Sequence, residues 1–363
     1  MDYKQIMRKC IKLAKKGEGK TSPNPLVGCV VLDKNGNEIS TGYHAGYGLA
    51  HAEADALSKL KQGQAQGGTL IVNLEPCSHY GKTPPCADLI IKHGIKKLVI
   101  AMQDPNPLVS GDGIKKCKDA GIEIIENVLQ KEANELNEIF IKNMTEKTCF
   151  TAIKIATTID GKIATKTGDS KWITSQKARN EVQKIRNHYD AILTTSSTIL
   201  KDDPSMTCRA KNGRNPARII LDRELKTDFS SKIYKNNCEK TYIVIDKNLT
   251  PNKTIPQHIE IIKCPVYNSN LDLKYLFNEI YKKGIKSVLV EAGGKLNGEL
   301  VSLELADKIY HFVAPKILAD NDGVSAFEGR NINKISDTLN YELKTVKQFL
   351  PDFLAIYKIK PGD

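Results

Sequence analysis

The sequence predicts an α/β protein made of two three-layer αβα domains. Three observations point there. The chain has 363 residues, more than one ordinary domain holds. Strand-sized apolar runs, such as 26–32 and 98–102, alternate with amphipathic helical stripes. The alternation pauses at Glu146-Lys147-Thr148, which reads as a linker between domains at 1–145 and 149–363. A composition of 40% apolar and 26% charged residues argues against wholesale disorder. No apolar run approaches the roughly 20 residues that a membrane span needs. Met1-Asp2-Tyr3-Lys4-Gln5 carries no apolar signal core, so a cytoplasmic protein that does not engage membranes is expected.

In the first half, Ile6, Met7, Cys10, Ile11 and Ala14 form the stripe of a helix over 2–16. Ser22-Pro23-Asn24-Pro25 is a turn. A buried strand follows at 27–32, with a hairpin partner near 38–43. Next come helix 51–61, strand 69–73, helix 86–93, strand 97–101, helix 112–120, strand 122–125 and helix 131–143. The second half reads as strand 149–156, helix 175–187, strand 190–194, strands 217–222 and 241–245, helix 271–282 and strand 286–290. Strands near 306–313, 341–349 and 353–359 close it, with Pro351-Asp352 at the last turn. Parallel crossovers ending in an antiparallel hairpin predict a mixed sheet.

Net charge is +12, of which residues 1–145 carry +3, from 19 basic and 16 acidic side chains, and the remainder +9. A basic second half fits an anionic partner, and both phosphorylated small molecules and nucleic acid qualify. It also fits a lysine-rich solvated surface. The nine cysteines are scattered and odd in number, which predicts reduced thiols. Only Cys77 and Cys86 lie close together among turn residues.

His51-Ala52-Glu53 opens a predicted helix, Glu75-Pro76-Cys77 ends a predicted strand, and Cys86 opens the next helix. One imidazole and two thiolates make three zinc ligands, and three protein ligands leave a fourth position for water. Glu53, two residues past His51, is placed to shuttle protons without ligating the metal. Zinc deaminases carry H-x-E and later P-C-x-x-C; here eight residues, 78–85, separate the two cysteines. A closed zinc knuckle would need a fourth ligand, for which His79 is the candidate, and would leave Glu53 without a role.

The longer cysteine spacing with G-K-T-P-P-C, the S-P-N-P-L-V-G turn at 22–28 and D-P-N-P at 104–107 resemble the bifunctional deaminase/reductase family of bacterial riboflavin biosynthesis. The resemblance covers essentially the whole chain. It implies a cytidine-deaminase-like first domain that hydrolyses the amino group from a diaminopyrimidinone bearing a ribosylamino 5′-phosphate. Matched motif by motif, its substrate contacts fall on Asn24, His44, His79, Lys82, Asp104 and Asn106. Asn24 and Asn106 suit ring edges, although asparagines between prolines also simply make turns. His79 and Lys82 suit a phosphate.

The second half has no G-x-G-x-x-G. Instead Val288-Leu289-Val290 runs into Glu291-Ala292-Gly293-Gly294, a strand, two glycines and a helix start, which is a geometry for holding phosphate. Lys154-Ile155-Ala156, Ile159-Asp160-Gly161-Lys162, the 168–175 run and the 202–209 run resemble the reductase domain of the same family. That resemblance implies a dihydrofolate-reductase-like fold that uses NADPH. Cofactor contacts then fall on Ala156, Trp172, Thr198, Asp202 and the loop of Gly293, Gly294, Lys295, Leu296, Asn297, Gly298 and Glu299. Substrate contacts fall on Lys154, Ser170, Arg186, Met206, Arg209 and Glu291. Arg186 and Arg209 are expected to clamp the sugar phosphate. Lys154, Asp202 and Glu291 are the ionisable candidates for proton handling, and the sequence does not rank them. Arg223, just past a strand end, is read as a partner for the cofactor 2′-phosphate. Two departures from the family pattern are Ala292, where many relatives have glycine, and the hydroxylic run Thr194-Thr195-Ser196-Ser197.

The family also implies a homo-oligomer acting on phosphorylated pyrimidines. An RNA deaminase with a basic second half is the rival, but 6% aromatic residues and no RNA-binding motif speak against nucleic acid. A zinc module without catalysis beside a reductase is the other rival, and metal-dependent ammonia release separates the two.

Overall fold

Runs of valine, isoleucine and leucine become the inner strands of two separate sheets in the computed structural model, which describes residues 1–80, 84–107, 109–235 and 240–360. The chain divides into two units, Met1–Lys147 and Thr148–Asp363.

The first unit is built on a five-stranded sheet in the order Glu38–Tyr43, Gly28–Leu32, Thr69–Val72, Lys97–Ile100, Glu123–Ile125. Gly28–Leu32 is antiparallel to both its neighbours, and the last three strands are parallel. Every residue of Gly28–Leu32 is buried, as expected for a strand covered on both faces. Helix Ala52–Ser58 lies directly on the hairpin. A Cβ on Gly42 would come 2.2 Å from the Ala52 carbonyl oxygen, so only glycine allows that approach. The contact fixes the start of the helix that carries His51 and Glu53.

The helix expected over 131–143 is two helices, Gln130–Leu136 and Glu138–Thr145. The break falls at Asn137, which is buried. Its Oδ1 accepts from the Leu26 N–H at 2.8 Å and its Nδ2 donates to the Leu26 carbonyl at 3.1 Å. Asn73, at the end of strand Thr69–Val72, donates to the same carbonyl and accepts from the Gly28 N–H. Two buried amides thus hold the chain that leads out of the Asn24 turn.

The second unit carries a nine-stranded sheet. From one edge it runs Ile259–Cys264, Thr241–Asp246, Ala217–Leu221, Ala191–Thr195, Ser287–Val290, Phe150–Thr157, Lys308–Val313, Asp352–Ile359, Tyr341–Phe349. The first seven are parallel and the last two add antiparallel, so the sheet is mixed. Among the features outside the sequence reading are strand Ile259–Cys264, helix Ser196–Asp202, and the small pairing of Lys162–Ala164 with Val324–Ser325. Among the described residues no helix is long and apolar enough to cross a membrane.

Candidate active sites

In the first unit, His51 is the N-cap of helix Ala52–Ser58, Glu53 lies in its first turn, and Cys86 begins helix Cys86–Lys92. The His51 Nδ1 is 3.5 Å from the Cys77 Sγ and 3.5 Å from the Cys86 Sγ. The three donor atoms lie within 4.8 Å of one another. Tetrahedral zinc, with bonds of about 2.0 Å to nitrogen and about 2.3 Å to sulfur, would separate N and S by roughly 3.5 Å. The donor set and its spacing therefore fit zinc. The Cys86 N–H points at the Cys77 Sγ, 3.3 Å away, which favours a thiolate there. Glu53 is buried, and burial pushes its carboxyl up to about 7, with the neighbouring Cys77 charge adding to the effect. Such a group can both take and give a proton near neutral pH.

His44 is buried, with its ring 5.6 Å from that of His51. Its Nδ1 lies 3.0 Å from the Ala50 carbonyl oxygen, which can only accept, so Nδ1 carries the proton. The Nε2 then accepts from the Asn24 Nδ2 at 3.1 Å. That leaves the Asn24 amide oxygen as the acceptor not used by His44. Burial pushes the His44 imidazole below its usual range and keeps it neutral. His79 is exposed, and Lys82 lies outside the described residues. Asp104 is half-buried, with its carboxyl pushed up by burial, and its Oδ1 accepts from the Asn106 N–H at 2.9 Å.

In the second unit, the carboxyl ends of the parallel strands meet at one edge, where α/β sheets bind ligands. A cleft of about 400 Å³ opens there. Lys154, Ala156, Ser170 and Trp172 line it from one side. Arg186, Thr198, Asp202, Met206, Arg209, Glu291 and Gly293 complete the predicted residues that reach it. Trp172 is 63% exposed, so it is no core residue, and the Arg179 guanidinium stacks 4.3 Å from its ring centre. Arg179 is absent from the sequence reading.

At the floor of the cleft Glu291 is buried between two cations. Arg186 binds it through two parallel bonds, Nε to Oε1 at 2.6 Å and a terminal nitrogen to Oε2 at 3.0 Å. The Lys154 ammonium is 3.2 Å from Oε2. Burial alone would raise the Glu291 carboxyl, but Arg186 and then Lys154 outweigh it and hold it down to about 2. Arg186 spends its remaining terminal nitrogen on the Thr207 carbonyl, at 2.7 Å. A buried guanidinium needs a buried counter-ion, and Glu291 is it. Arg209 is exposed, and its backbone N–H donates to the Gln183 Oε1 at 2.9 Å.

A second hollow of about 290 Å³ is lined by Arg223, Lys226, Lys295, Leu296 and Glu299. Arg223 there donates to the Ser269 carbonyl and pairs with Glu224. Helix Gly294–Ser302 starts between the two hollows, with Gly293 as N-cap and no side chain capping its N–H groups. A Cβ on Gly293 would meet open space. An uncapped helix start beside Lys295 and Arg223 suits the phosphates of a dinucleotide. Gly294 and Gly298 have another task. A Cβ on either would come within 2.2 Å of a carbonyl oxygen, of Ser325 and of Glu328 respectively. Asn297 is buried and donates to the Ala326 carbonyl. Asn297 and Gly298 thus pack against the 325–328 segment, while Lys295, Leu296 and Glu299 of the same run line the second hollow. The hydroxyls of 194–197 also have structural work: Thr194 donates to the Glu291 carbonyl and Thr195 caps helix Ser196–Asp202.

Residues 150–355 match the family profile described as the RibD C-terminal domain, and residues 1–102 match the cytidine and deoxycytidylate deaminase zinc-binding region. The riboflavin biosynthesis protein RibD of Actinobacillus pleuropneumoniae is 37% identical over 99% of this chain and 95% of its own. That of Escherichia coli is 35% identical over 97% of this chain and 98% of its own. Among solved structures, a diaminohydroxyphosphoribosylaminopyrimidine deaminase/5-amino-6-(5-phosphoribosylamino)uracil reductase of Thermotoga maritima superposes with a TM-score of 0.87, 40% identity and 99% coverage of both chains. RibD of Acinetobacter baumannii superposes with a TM-score of 0.88 at 33% identity, again over 99% of each. The chain belongs to the RibD family, the bifunctional deaminase/reductases of riboflavin biosynthesis.

Proposed function

We propose that the unit of residues 1–145 deaminates 2,5-diamino-6-ribosylamino-4(3H)-pyrimidinone 5′-phosphate. The unit of residues 149–363 then reduces the ribosyl group of 5-amino-6-(5-phosphoribosylamino)uracil to ribityl. The observation that carries the reading is the His51, Cys77 and Cys86 trio with a buried carboxyl, Glu53, in the same helix turn. The name of the Thermotoga maritima relative supports the substrates.

His51, Cys77 and Cys86 hold Zn²⁺, which when bound supplies an activated water near neutral pH. Glu53 takes a proton from the attacking water and hands it to the departing amino group, so that ammonia leaves. Asn24, with its amide polarity set by His44, offers its oxygen to a ring N–H. Asp104 and Asn106 take other edges of the ring, and the phosphate role falls to His79 and Lys82.

In the reductase, NADPH supplies a hydride to C1′ of the open-chain imine. Lys295 and Arg223 hold its phosphates, and Ala156, Trp172, Thr198 and Asp202 seat its nicotinamide end. Of the proton-handling candidates, Lys154 and Glu291 differ in what they can give. Glu291, held ionised by Arg186, has no proton to give, whereas the Lys154 ammonium beside it does. Lys154 therefore donates the proton that the imine nitrogen needs. Ser170, Met206 and Arg209 line the sugar side, and the exposed Arg209 is offered to the phosphate.

Ammonia release from the diaminopyrimidinone, followed by NADPH oxidation, tests the whole reading. Cys77→Ser should lose both zinc and ammonia release, whereas Cys117→Ser, buried in the core, should lose neither. Equal zinc in wild type and Cys77→Ser would sink the assignment. Arg209→Ala should raise the reductase KM for the sugar phosphate roughly tenfold or more, as for loss of a charge-assisted bond of about 2 kcal/mol. NADPH binding should be unchanged, and an unchanged KM would refute the contact.

We place the protein in the cytoplasm, with small phosphorylated pyrimidines rather than nucleic acid or membranes as its partners. We also propose a homo-oligomer. The terminal hairpin, Tyr341–Phe349 with Asp352–Ile359, leaves Leu343, Val346, Leu350 and Phe353 exposed together. Mass in solution reads this directly.

A further inference from the structure

Glu75 is a buried carboxylate with four backbone N–H groups aimed at it. Its Oε2 accepts from Asp104 at 3.0 Å and Gly111 at 3.0 Å; its Oε1 accepts from Gly113 at 2.9 Å and Ile114 at 3.2 Å. Helix Asp112–Asp119 has Gly111 as its N-cap and so no capping side chain of its own. Glu75 supplies the cap from another element, on the strand side of the site. Each of the two carboxyl oxygens takes two N–H groups. The same side chain therefore closes a helix start and ties down the N–H of Asp104. Two residues beyond Glu75 stands Cys77, and two residues beyond Asp104 stands Asn106.

We propose that Glu75, two residues from the zinc ligand Cys77, is a positioning residue of the deaminase, which holds the backbone of Asp104 and Gly111 in place. This rests on the reading of Asp104 and Asn106 as substrate contacts. The joint is tight on both sides. A Cβ on Gly113 would come 1.9 Å from the Pro76 carbonyl oxygen and 3.3 Å from the Glu75 Oε1, so the helix start sits directly against the Glu75-Pro76 backbone. Glutamine at 75 keeps the size of the side chain but offers one oxygen and an NH₂ group. The NH₂ would face two N–H donors, and one half of the clasp must open. If the Oε2 side opens, Asp104 is released while the metal ligands keep their places.

The full chain, loaded with zinc, provides the test. Wild-type ammonia release from the diaminopyrimidinone is measured first; its absence would defeat the substrate reading itself, before any variant is compared. Glu75→Gln should then keep one zinc per chain and wild-type reduction of the deaminated compound. Its deaminase KM should rise at least tenfold, with kcat changed less than threefold. Gly113→Ala pushes on the same joint from the helix side and leaves the carboxylate in place; it should raise KM in the same direction. Glu75→Asp, which restores a carboxylate one methylene shorter, should recover part of the loss. An unchanged KM in both Glu75→Gln and Gly113→Ala, or a loss confined to zinc content or to kcat, would overturn the proposal.

Discussion

Glu53→Gln should lower ammonia release from the diaminopyrimidinone by roughly 10²–10⁴-fold, the usual contribution of a positioned acid/base. The substitution keeps the shape of a buried side chain and removes its capacity to carry a proton. Zinc content should stay at the wild-type level, because the three donor atoms do not include Glu53. The same variant, given the deaminated compound, should oxidise NADPH at the wild-type rate. Given only the diaminopyrimidinone, it should leave NADPH unconsumed. Rapid NADPH oxidation in that last assay would show that reduction does not await deamination. Loss of reduction with the deaminated compound would show that the two activities are not separable.

Glu291→Gln should cost the reductase both activity and stability. Arg186 and Lys154 would then face each other in a buried place without their shared counter-charge. Breaking such a buried arrangement from one side costs roughly 3–5 kcal/mol. Urea unfolding should show that loss, and NADPH oxidation with the deaminated compound should fall to background while ammonia release persists. The effect depends on pH with a definite sign. The Glu291 carboxyl is held from its ordinary 4.5 down to about 2 in the folded chain. Its contribution is therefore full above pH 4.5 and is lost as the pH falls towards 2. The stability gap between wild type and variant should be widest at neutral pH and narrow through that acid window. A gap independent of pH would refute the charge argument.

What the sequence makes legible is what local spacing encodes. His51 and Glu53 share one helix turn and Cys77 and Cys86 flank one loop, so each half of the site is read locally, and the donor chemistry of imidazole and thiols joins the halves across 26 residues. Strand and helix positions follow from apolar periodicity for the same reason. The residues that organise the sites are read poorly because their partners are remote. Asn137 meets Leu26 across 111 residues, and Arg186 meets Glu291 across 105. In sequence Arg186 looks like any free cation at a helix end; only folding shows it paired with Glu291. Glu75 sits in plain view beside Pro76-Cys77, yet its four N–H donors come from 29 to 39 residues away. The Ser196–Asp202 helix is hidden by composition, since Thr194-Thr195-Ser196-Ser197 has the look of a turn until Thr195 acts as its cap. Strand Ile259–Cys264 had a usable signal in its β-branched run Ile259-Glu260-Ile261-Ile262, which the sequence reading passes over.

The last strand of the nine-stranded sheet, Tyr341–Phe349, leaves one line of backbone donors and acceptors open at the sheet margin. A bare margin of nine residues invites stacking without end, the start of a fibril. This one is defended: Lys344 pairs with Glu342 and Lys347 lies 3.7 Å from Glu181, so charged side chains are fixed along its length. The register also slips between Leu343 and Thr345, which bends the strand and spoils it as a template. Lysines and a bulge bar a tenth strand from a neighbouring molecule while leaving the apolar side chains beside them available. Growth by sheet extension is discouraged, and a closed pairing through side chains is not.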